Sequence, residues 1–207
     1  MQNSSVPFVI VFLKYPVPGK VKTRLADGIG AIAAADLYRD WIGLVLINLQ
    51  ADRPTIRIVG YFDGGTVEQF APWFPLVDDW VTQPAGDLGE RLAFAFEWGH
   101  ARGSPVLAVG TDCLELNSTH ITDAITRLND HDAVFGPATD GGYYLVGSSR
   151  LVVGFFLGIR WSSSSTLADH LVRCERLGLS VCQLDELADI DTADDWLAYQ
   201  QRKGDCR

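Results

Sequence analysis

Residues 6–25 read VPFVIVFLKYPVPGKVKTRL, and this stretch decides the fold of the chain. Residues 6–14 form an apolar run with several β-branched side chains, which is typical of a strand buried on both faces. Two prolines and a glycine follow, and they predict a loop over residues 16–24. A buried first strand that opens into a loop is typical of open α/β sheets, whose ligands bind beyond the carboxyl ends of the strands.

Downstream of this loop, apolar strand-like runs alternate with helix-like segments. Strands are predicted over residues 56–62, 80–83, 106–110, 133–136, 143–147 and 179–184. Helices are predicted over residues 30–51, 67–74, 87–102, 118–129, 163–177 and 192–201. The alternation predicts a three-layer α/β/α fold with a mainly parallel sheet. Because no linker-like composition or internal repeat interrupts the chain, residues 1–207 are expected to form a single domain.

Several helix ends carry capping signals. Asp87 with Glu90 and Thr192 with Asp195 match the capping box. Ser118 is predicted to cap the fourth of these helices. In the segment WSSSST, residues 161–166, Ser163 or Ser164 is expected to cap the next one.

The composition excludes several classes of protein. The formal net charge is -9, which argues against a general nucleic-acid-binding protein. No apolar run reaches the roughly 18 residues of a membrane span. Residues 6–13 lack the flanks of a signal peptide, so a cytoplasmic protein is expected. The four cysteines fit no zinc template and are expected to be reduced thiols: Cys113, Cys174, Cys182 and Cys206.

The charge is unevenly distributed along the chain. The basic loop, residues 14–24, carries four cations and no acid: Lys14, Lys20, Lys22 and Arg24. Lys20, Lys22 and Arg24 alternate, so an extended loop would point them one way, and Gly19 would let the backbone approach a ligand. Arg24 could bind a phosphate in a bidentate manner, with the lysines as point charges. A solvated basic loop explains the charge equally well.

Residues 83–92, QPAGDLGERL, place glycines at a predicted helix N-terminus, which suits an anionic ligand. Gln83 could contact a base or ribose there, with Gly86, Asp87 and Arg91 as further nucleotide-binding candidates. An ordinary turn with a capping box is the alternative interpretation.

Carboxylates at two places predict a metal site. Asp112 follows a buried strand, where an unpaired carboxylate would be costly to desolvate. Asp189 and Asp191 are two residues apart, so both would face one way while Ile190 faces the core. Mg²⁺ or Mn²⁺ commonly binds one or two protein carboxylates together with phosphate oxygens. We therefore expect the metal ligands to be Asp112 and Asp191, and also Asp189. Asp112 could instead be a cap or turn residue.

The acceptor or sugar side is predicted from residues 136–147, GPATDGGYYLVG. Asp140 followed by two glycines predicts a tight hairpin turn. If the turn also has a function, Asp140, Gly141, Gly142 and Tyr143 would face the acceptor or sugar.

Six segments in order carry a family resemblance: KYPVPGKVKTRL, QPAGDLGERL, GTDCLEL, GPATDGGYYLVG, GIRWSSSSTL and DIDTADDW. With them the chain resembles the DUF2064 family, glycosyltransferase-like proteins of the nucleotide-diphospho-sugar transferase superfamily. More distantly it is similar to guanylyltransferases of cofactor biosynthesis. Leu114 and Glu115 stand where the family usually has Pro and Asp, and Ala193 where it usually has Pro.

The resemblance implies a GT-A fold, a metal-dependent nucleotide site and transfer to a small-molecule acceptor. In the expected mechanism, Asp112 and Asp191 hold the cation, while Lys22 and Arg24 stabilise the leaving phosphate from the opposite side. Asp140 is a candidate base or sugar-hydroxyl partner. The Trp-Ser pattern that the family shares makes Trp161 a further candidate on the acceptor side. A nucleotide-sugar donor is the leading interpretation. Nucleotidyl transfer with pyrophosphate release and a non-catalytic nucleotide-binding protein are the alternatives. The base, sugar, acceptor and oligomeric state stay open.

Overall fold

A seven-stranded mixed sheet lies at the centre of the protein. The computed structural model describes residues 6–50 and 55–204. The strands are β1 Phe8–Lys14, β2 Arg57–Asp63, β3 Asp79–Thr82, β4 Val106–Val109, β5 Ala133–Pro137, β6 Tyr143–Ser148 and β7 Val181–Gln183. Their order is β3-β2-β1-β4-β6-β5-β7. β6 runs antiparallel to β4 and β5, and the other pairs are parallel, which confirms the mainly parallel sheet.

Helices cover both faces of this sheet. They are α1 Thr23–Ile29, α2 Ala31–Asn48, α3 Val67–Phe70, α4 Leu88–His100, α5 Ser118–Arg127, α6 Thr166–Arg176 and α7 Ala193–Gly204. Alternate residues of β1 enter opposite cores. Val9 and Val11 pack in the cluster that contains Trp41 of α2, whereas Ile10 packs in the cluster that contains Phe96 of α4. This alternation confirms the three-layer fold and explains why the strand is apolar up to Leu13.

The largest difference from the predicted elements lies in the basic loop. The predicted loop over residues 16–24 ends at Lys22, and α1 begins at Thr23. The predicted helix over residues 30–51 begins after Gly30, whose φ of 88° separates α1 from α2, and Ala51 lies outside the described residues. Arg24 therefore lies on a helix, so the predicted extended loop is wrong there, although Lys20, Lys22 and Arg24 line one pocket.

Both predicted capping boxes are confirmed. Asp87 Oδ1 accepts from the backbone of Glu90 at 2.9 Å, and Glu90 Oε2 accepts from the backbone of Asp87 at 2.9 Å. Thr192 and Asp195 exchange the same kind of bonds at 3.2 and 2.8 Å.

The serine caps are wrong. Asn117, one residue before Ser118, caps α5 by accepting from Thr119 N at 2.9 Å. Ser165 occupies the N-cap position of α6, which starts later than predicted.

Cys113, Cys174 and Cys182 are free thiols, and Cys206 lies outside the described residues. Within residues 6–50 and 55–204, no helix has the length and apolar character that crossing a membrane requires.

A buried histidine should make this fold sensitive to acid. His170 of α6 is fully buried, with ring contacts to Phe135 and Phe155, and burial lowers its pKa to about 3. An unfolded histidine has a pKa of about 6.5, so below that pH the unfolded chain binds a proton that the folded chain does not. We expect His170 to remove about 2 kcal/mol from the free energy of unfolding between pH 7 and pH 5.

Urea denaturation of the parent and of His170→Gln at both pH values measures this loss. The variant is less stable at pH 7 but should lose less stability on acidification. An equal loss in the two proteins would contradict the prediction.

Candidate functional site

The carboxyl ends of β1 and β4 meet at one edge of the sheet. The two strands are parallel neighbours, with Val11 opposite Val109. Tyr38 of α2 joins their ends, because its hydroxyl oxygen accepts from Lys14 N at 3.1 Å and from Thr111 Oγ1 at 3.4 Å. Tyr38 thereby fixes the position of Lys14, at the start of the basic loop, relative to Thr111, the residue before Asp112.

The acidic segment near the C-terminus joins the same edge. Ile190 N donates to the backbone oxygen of Asp112 at 3.0 Å, and the Ile190 side chain is buried in the core as predicted. Asp195 Oδ2 accepts from Asp191 N at 3.2 Å. These bonds place the carboxylates of Asp112 and Asp191 side by side.

Lys22 lies between these two carboxylates. Its Nζ is 2.8 Å from Asp112 Oδ1, 3.1 Å from Asp191 Oδ1 and 2.6 Å from Ile190 O, so all three ammonium donors have acceptors. The Lys22 side chain is only 6% exposed. Burial by itself would lower the pKa of Lys22, but Asp112 and Asp191 outweigh it, so the pKa lies above its usual value and the group stays charged.

This placement changes the expected role of the basic loop. Lys22 was predicted to meet phosphates from the side opposite Asp112 and Asp191, whereas it contacts both carboxylates. Lys22 is the residue before α1 and has a left-handed backbone conformation, with φ of 45°. Arg24 Nη1 is 3.4 Å from Asp191 Oδ2, yet its side chain is 76% exposed and accessible to a ligand. Lys14 and Lys20 are exposed as well.

Two pockets of opposite charge adjoin here. The basic pocket, about 250 Å³, contains the four cations of the basic loop, namely Lys14, Lys20, Lys22 and Arg24. The acidic pocket, about 300 Å³, contains the carboxylates of Asp112, Asp140, Asp189 and Asp191, and no Lys or Arg among the described residues that line it. Asp112 and Asp191 line both pockets and form their boundary.

The pKa values of Asp189 and Cys113, which line the acidic pocket, are raised. Burial raises the pKa of Asp189, and the carboxylates of Asp140 and Asp191 raise it further. Burial also raises the pKa of the Cys113 thiol, again reinforced by the surrounding carboxylates. A cation or a neutral polar group is therefore favoured in this pocket over an anion.

The predicted metal ligands are brought together only in part. Across the described ranges, no group of three or more His, Cys, Asp or Glu side chains is arranged to hold a metal ion. Asp112 and Asp191 are hard oxygen donors of the kind that Mg²⁺ or Mn²⁺ binds together with phosphate oxygens. Asp189 instead accepts from Thr139 Oγ1 at 3.1 Å. The donor chemistry fits a divalent cation, but the Lys22 ammonium bonds both carboxylates.

The predicted hairpin turn at Asp140 is confirmed. It joins the antiparallel pair β5 and β6, and Asp140 Oδ1 accepts from Gly142 N at 2.7 Å. Gly141 has a φ of 87°, and a Cβ there would collide with the backbone of Ser164. Glycine is therefore required at Gly141, and the turn fixes the Asp140 carboxylate in the wall of the acidic pocket.

The two aromatic candidates lie in that same wall. The Tyr143 ring packs 5.4 Å from that of Phe135, and its hydroxyl is 3.3 Å from His170 Nδ1, so this hydroxyl has a partner within the protein. Trp161 stands against Gly89, where a Cβ would lie 2.6 Å from the indole nitrogen. The close packing explains the second glycine of the segment over residues 83–92.

Gln83 and Arg91 brace strand ends. Gln83 Nε2 donates to Tyr61 O at 2.8 Å and to Leu13 O at 3.3 Å. Arg91 Nη1 donates to Gln83 Oε1 at 3.0 Å and to Asp63 Oδ2 at 2.9 Å. Arg91 Nε donates to Gly86 O at 3.2 Å. These contacts favour the interpretation of this segment as a turn with a capping box.

Sequence reasoning missed three residues that shape the site. Tyr38, Asp63 and Thr139 hold Lys14, Arg91 and Asp189 respectively. Tyr38 falls on the buried face of α2, where its periodicity matches that of an ordinary core residue. Glu115 is 3.4 Å from Arg202 Nε, and it is absent from the described linings of both pockets.

Comparison with solved structures identifies the class of fold. The chain is 33% identical to a protein from Desulfovibrio desulfuricans G20 that is provisionally assigned as a nucleotide-diphospho-sugar transferase. The TM-score is 0.83, over 91% of this chain and 83% of that chain. The predicted fold class is thereby confirmed.

Two more distant structures share the fold. CMP:2-keto-3-deoxy-manno-octonic acid synthetase complexed with CTP has a TM-score of 0.59 and 11% identity, over 95% of this chain and 100% of that chain. Rv0371C from Mycobacterium tuberculosis H37Rv, in complex with manganese, has a TM-score of 0.56 and 16% identity, over 94% of this chain and 97% of that chain. The D. desulfuricans protein is provisionally assigned as a transferase, the class of enzyme expected for this chain.

Residues 46–163 match the family described as "Uncharacterized protein conserved in bacteria (DUF2064)". The chain belongs to this family, as its six motifs predicted. No curated protein sequence matches the chain.

The ion pairs of Lys22 should contribute to stability. Lys22→Met leaves two adjacent carboxylates without their shared ammonium, and we expect a loss of about 1–3 kcal/mol in the free energy of unfolding. The loss is kept below that of a fully buried pair because the Asp112 and Asp191 side chains are 49% and 37% exposed. Urea denaturation measures it.

A double-mutant cycle isolates the contact. Asp191→Asn should be less damaging in the Lys22→Met background than in the parent, with a coupling energy of about 1 kcal/mol. Lys20→Met, which removes an exposed cation of the same loop, is the control and should change stability by less than about 0.5 kcal/mol. Additive effects of the two mutations would show that the ion pair does not stabilise the fold.

Proposed function

We propose that the protein is a transferase that uses a nucleotide-diphospho-sugar donor and passes the sugar to a small-molecule acceptor. The observation that carries this proposal is the pair of adjoining pockets of opposite charge, which share Asp112 and Asp191. A diphosphate needs cations, whereas a sugar and a neutral acceptor hydroxyl do not. The bond between the sugar and the diphosphate, which breaks on transfer, would lie at the boundary between the pockets.

The basic pocket would bind the diphosphate. Arg24 is exposed and can contact two phosphate oxygens at once, while Lys14 and Lys20 add point charges. The second part of the proposal is a divalent cation at the boundary between the pockets. Mg²⁺ or Mn²⁺ held by Asp112 and Asp191 would neutralise charge on the leaving diphosphate.

Lys22 would exchange partners when the donor binds. Its ammonium bonds both boundary carboxylates, so Lys22 and a divalent cation compete for one place. With the donor in place, Lys22 would turn from Asp112 and Asp191 towards the phosphate oxygens. Two carboxylates would then be available to the cation, and the ammonium would stabilise the leaving group.

The acidic pocket would hold the sugar and the acceptor. Asp140 is fixed there by its turn and is the proposed base or sugar-hydroxyl partner. Gly141 and Gly142 allow the turn, and the rings of Tyr143 and Trp161 form an apolar part of the pocket wall.

Nucleotidyl transfer is the second candidate function, because the four cations of the basic pocket would also suit a nucleoside triphosphate. It requires a phosphorylated acceptor. Such an acceptor would enter a pocket that contains four carboxylates, and no Lys or Arg among its described lining residues. The acidic pocket therefore favours sugar transfer to an uncharged acceptor.

We also propose that residues 1–207 form one domain and that the protein works in the cytoplasm. The seven strands form one continuous sheet, which supports the first point. The three free thiols suit a reducing compartment, which supports the second.

A binding and turnover experiment tests the function. The protein is titrated calorimetrically with nucleotide sugars and nucleoside triphosphates in the presence of Mn²⁺, and the released nucleoside diphosphate and pyrophosphate are quantified. We expect a nucleotide sugar to bind and to release nucleoside diphosphate slowly, because water takes up the sugar when no acceptor is present. Arg24→Ala should weaken this binding at least about tenfold, because its charged contacts with the phosphate oxygens are lost.

Arg57→Ala is the matched control. Arg57 is an exposed, ion-paired arginine at the amino end of β2, the opposite end of the sheet from the site, and its loss should leave binding unchanged. Pyrophosphate release from a triphosphate and a sugar phosphate would favour nucleotidyl transfer. Binding without either product would favour the non-catalytic alternative, and equal effects of the two arginine variants would exclude the basic pocket as the nucleotide site.

A further inference from the structure

A third cavity shares Trp161 with the acidic pocket. This apolar pocket, about 580 Å³, is formed by residues 151–159 and one face of α4. Its apolar lining includes Ala93, Phe96, Phe155, Phe156 and Trp161. Its volume lies within the roughly 300–1,000 Å³ of small-molecule sites.

The walls of the apolar pocket are preformed. The ring of Phe156 lies 4.9 Å from that of Phe96 and 6.5 Å from that of Trp161. Arg173 Nε donates to Gly154 O at 2.8 Å, which anchors the middle of residues 151–159 to α6. A rigid cavity binds a ligand without first having to be ordered.

The end of the same segment is fixed by a second contact. Arg160 binds both oxygens of Asp169 at 2.8 and 2.9 Å. Residues 151–159 therefore hold their shape between two anchors, one at each side of Phe156.

Apolar side chains are exposed around this cavity. Leu151, Val153 and Leu157 are 46%, 88% and 65% exposed. All three line the cavity. Exposed apolar side chains grouped at a concavity are typical of a binding site, since a ligand that covers them removes their surface from water.

The charges of the apolar pocket select among ligands. Asp87, Glu90 and Glu97 line it, and no Lys or Arg does among the described residues. An anionic ligand would be repelled, whereas a neutral or cationic one would not. A phosphorylated ligand is therefore disfavoured here.

Trp161 connects this cavity to the reaction site, because its indole lines both the apolar and the acidic pocket. We propose that the apolar pocket binds the aromatic or aliphatic body of an uncharged or cationic acceptor, whose hydroxyl or amine reaches the acidic pocket past Trp161. The term acceptor rests on the proposed function. The binding of an apolar, non-anionic molecule does not.

Probe binding tests the ligand class without turnover. The parent is titrated with N-phenyl-1-naphthylamine, a neutral fluorophore, and the bound probe is then displaced with 4-phenylbutan-1-ol, 4-phenylbutylamine or 4-phenylbutyrate. We expect the alcohol and the amine to displace the probe at least about fivefold more effectively than the carboxylate, because of the three carboxylates of the pocket. Equal displacement by all three would overturn the charge argument.

Two variants locate the binding. Ala93→Phe fills the cavity from α4 and should weaken probe binding about tenfold, whereas Ala101→Phe, at an exposed position after the same helix, should not. Leu157→Asp places a charge on an exposed side chain, so the core is undisturbed, and it should also weaken binding. Unchanged binding in both pocket variants would overturn the proposal.

A second copy of the chain is the competing occupant. Sedimentation of the parent and of Leu157→Asp distinguishes it. A parent dimer that Leu157→Asp converts to a monomer, together with no probe binding by the parent, would overturn the small-molecule proposal. Probe binding confined to the apolar pocket, in a protein that releases no nucleoside diphosphate, would support the pocket while contradicting the proposed function.

Discussion

The ammonium of Lys22 is the interaction on which the geometry of the site depends. It bonds Asp112, Asp191 and the backbone of Ile190, and so joins the basic loop to the end of β4 and to the acidic segment before α7. Two carboxylates this close would repel each other without a cation between them. Because both pockets end at these carboxylates, the position of one lysine determines the charge at their boundary. Lys22 offsets one of the two carboxylate charges, whereas a divalent cation in its place would offset both.

Three binding environments follow one another from this boundary. The basic pocket lies on one side of Asp112 and Asp191, the acidic pocket on the other, and the apolar pocket beyond Trp161. Under the proposed function, they would take a diphosphate, a sugar with its acceptor group, and an apolar acceptor body, in that order. Parallel strands explain part of this arrangement, since β1 and β4 deliver the basic loop and Asp112 to one edge of the sheet.

The sequence predicts this architecture well because its signals are local. Strand runs, the caps at Asp87 and Thr192, and the inward turn of Ile190 each depend on residues a few positions apart. The helix α1 was missed because Pro16 and Pro18 exclude a helix only near themselves, and Thr23 lies beyond their effect. The Lys22 ion pairs could not be predicted, because charge patterns show which residues are cationic but not which carboxylate a side chain will meet.

Mn²⁺ binding to the nucleotide-free protein tests most directly the claim that Lys22 and a divalent cation compete for one place. Electron paramagnetic resonance measures free Mn²⁺ in titrations of the parent, Lys22→Met and Lys20→Met. We expect Lys22→Met to bind Mn²⁺ about tenfold more tightly than the parent, because both carboxylates lose their ammonium partner, and Lys20→Met to bind like the parent. Adding Asp191→Asn to Lys22→Met should abolish the gain. Equal Mn²⁺ affinity in Lys22→Met and the parent would contradict the claim.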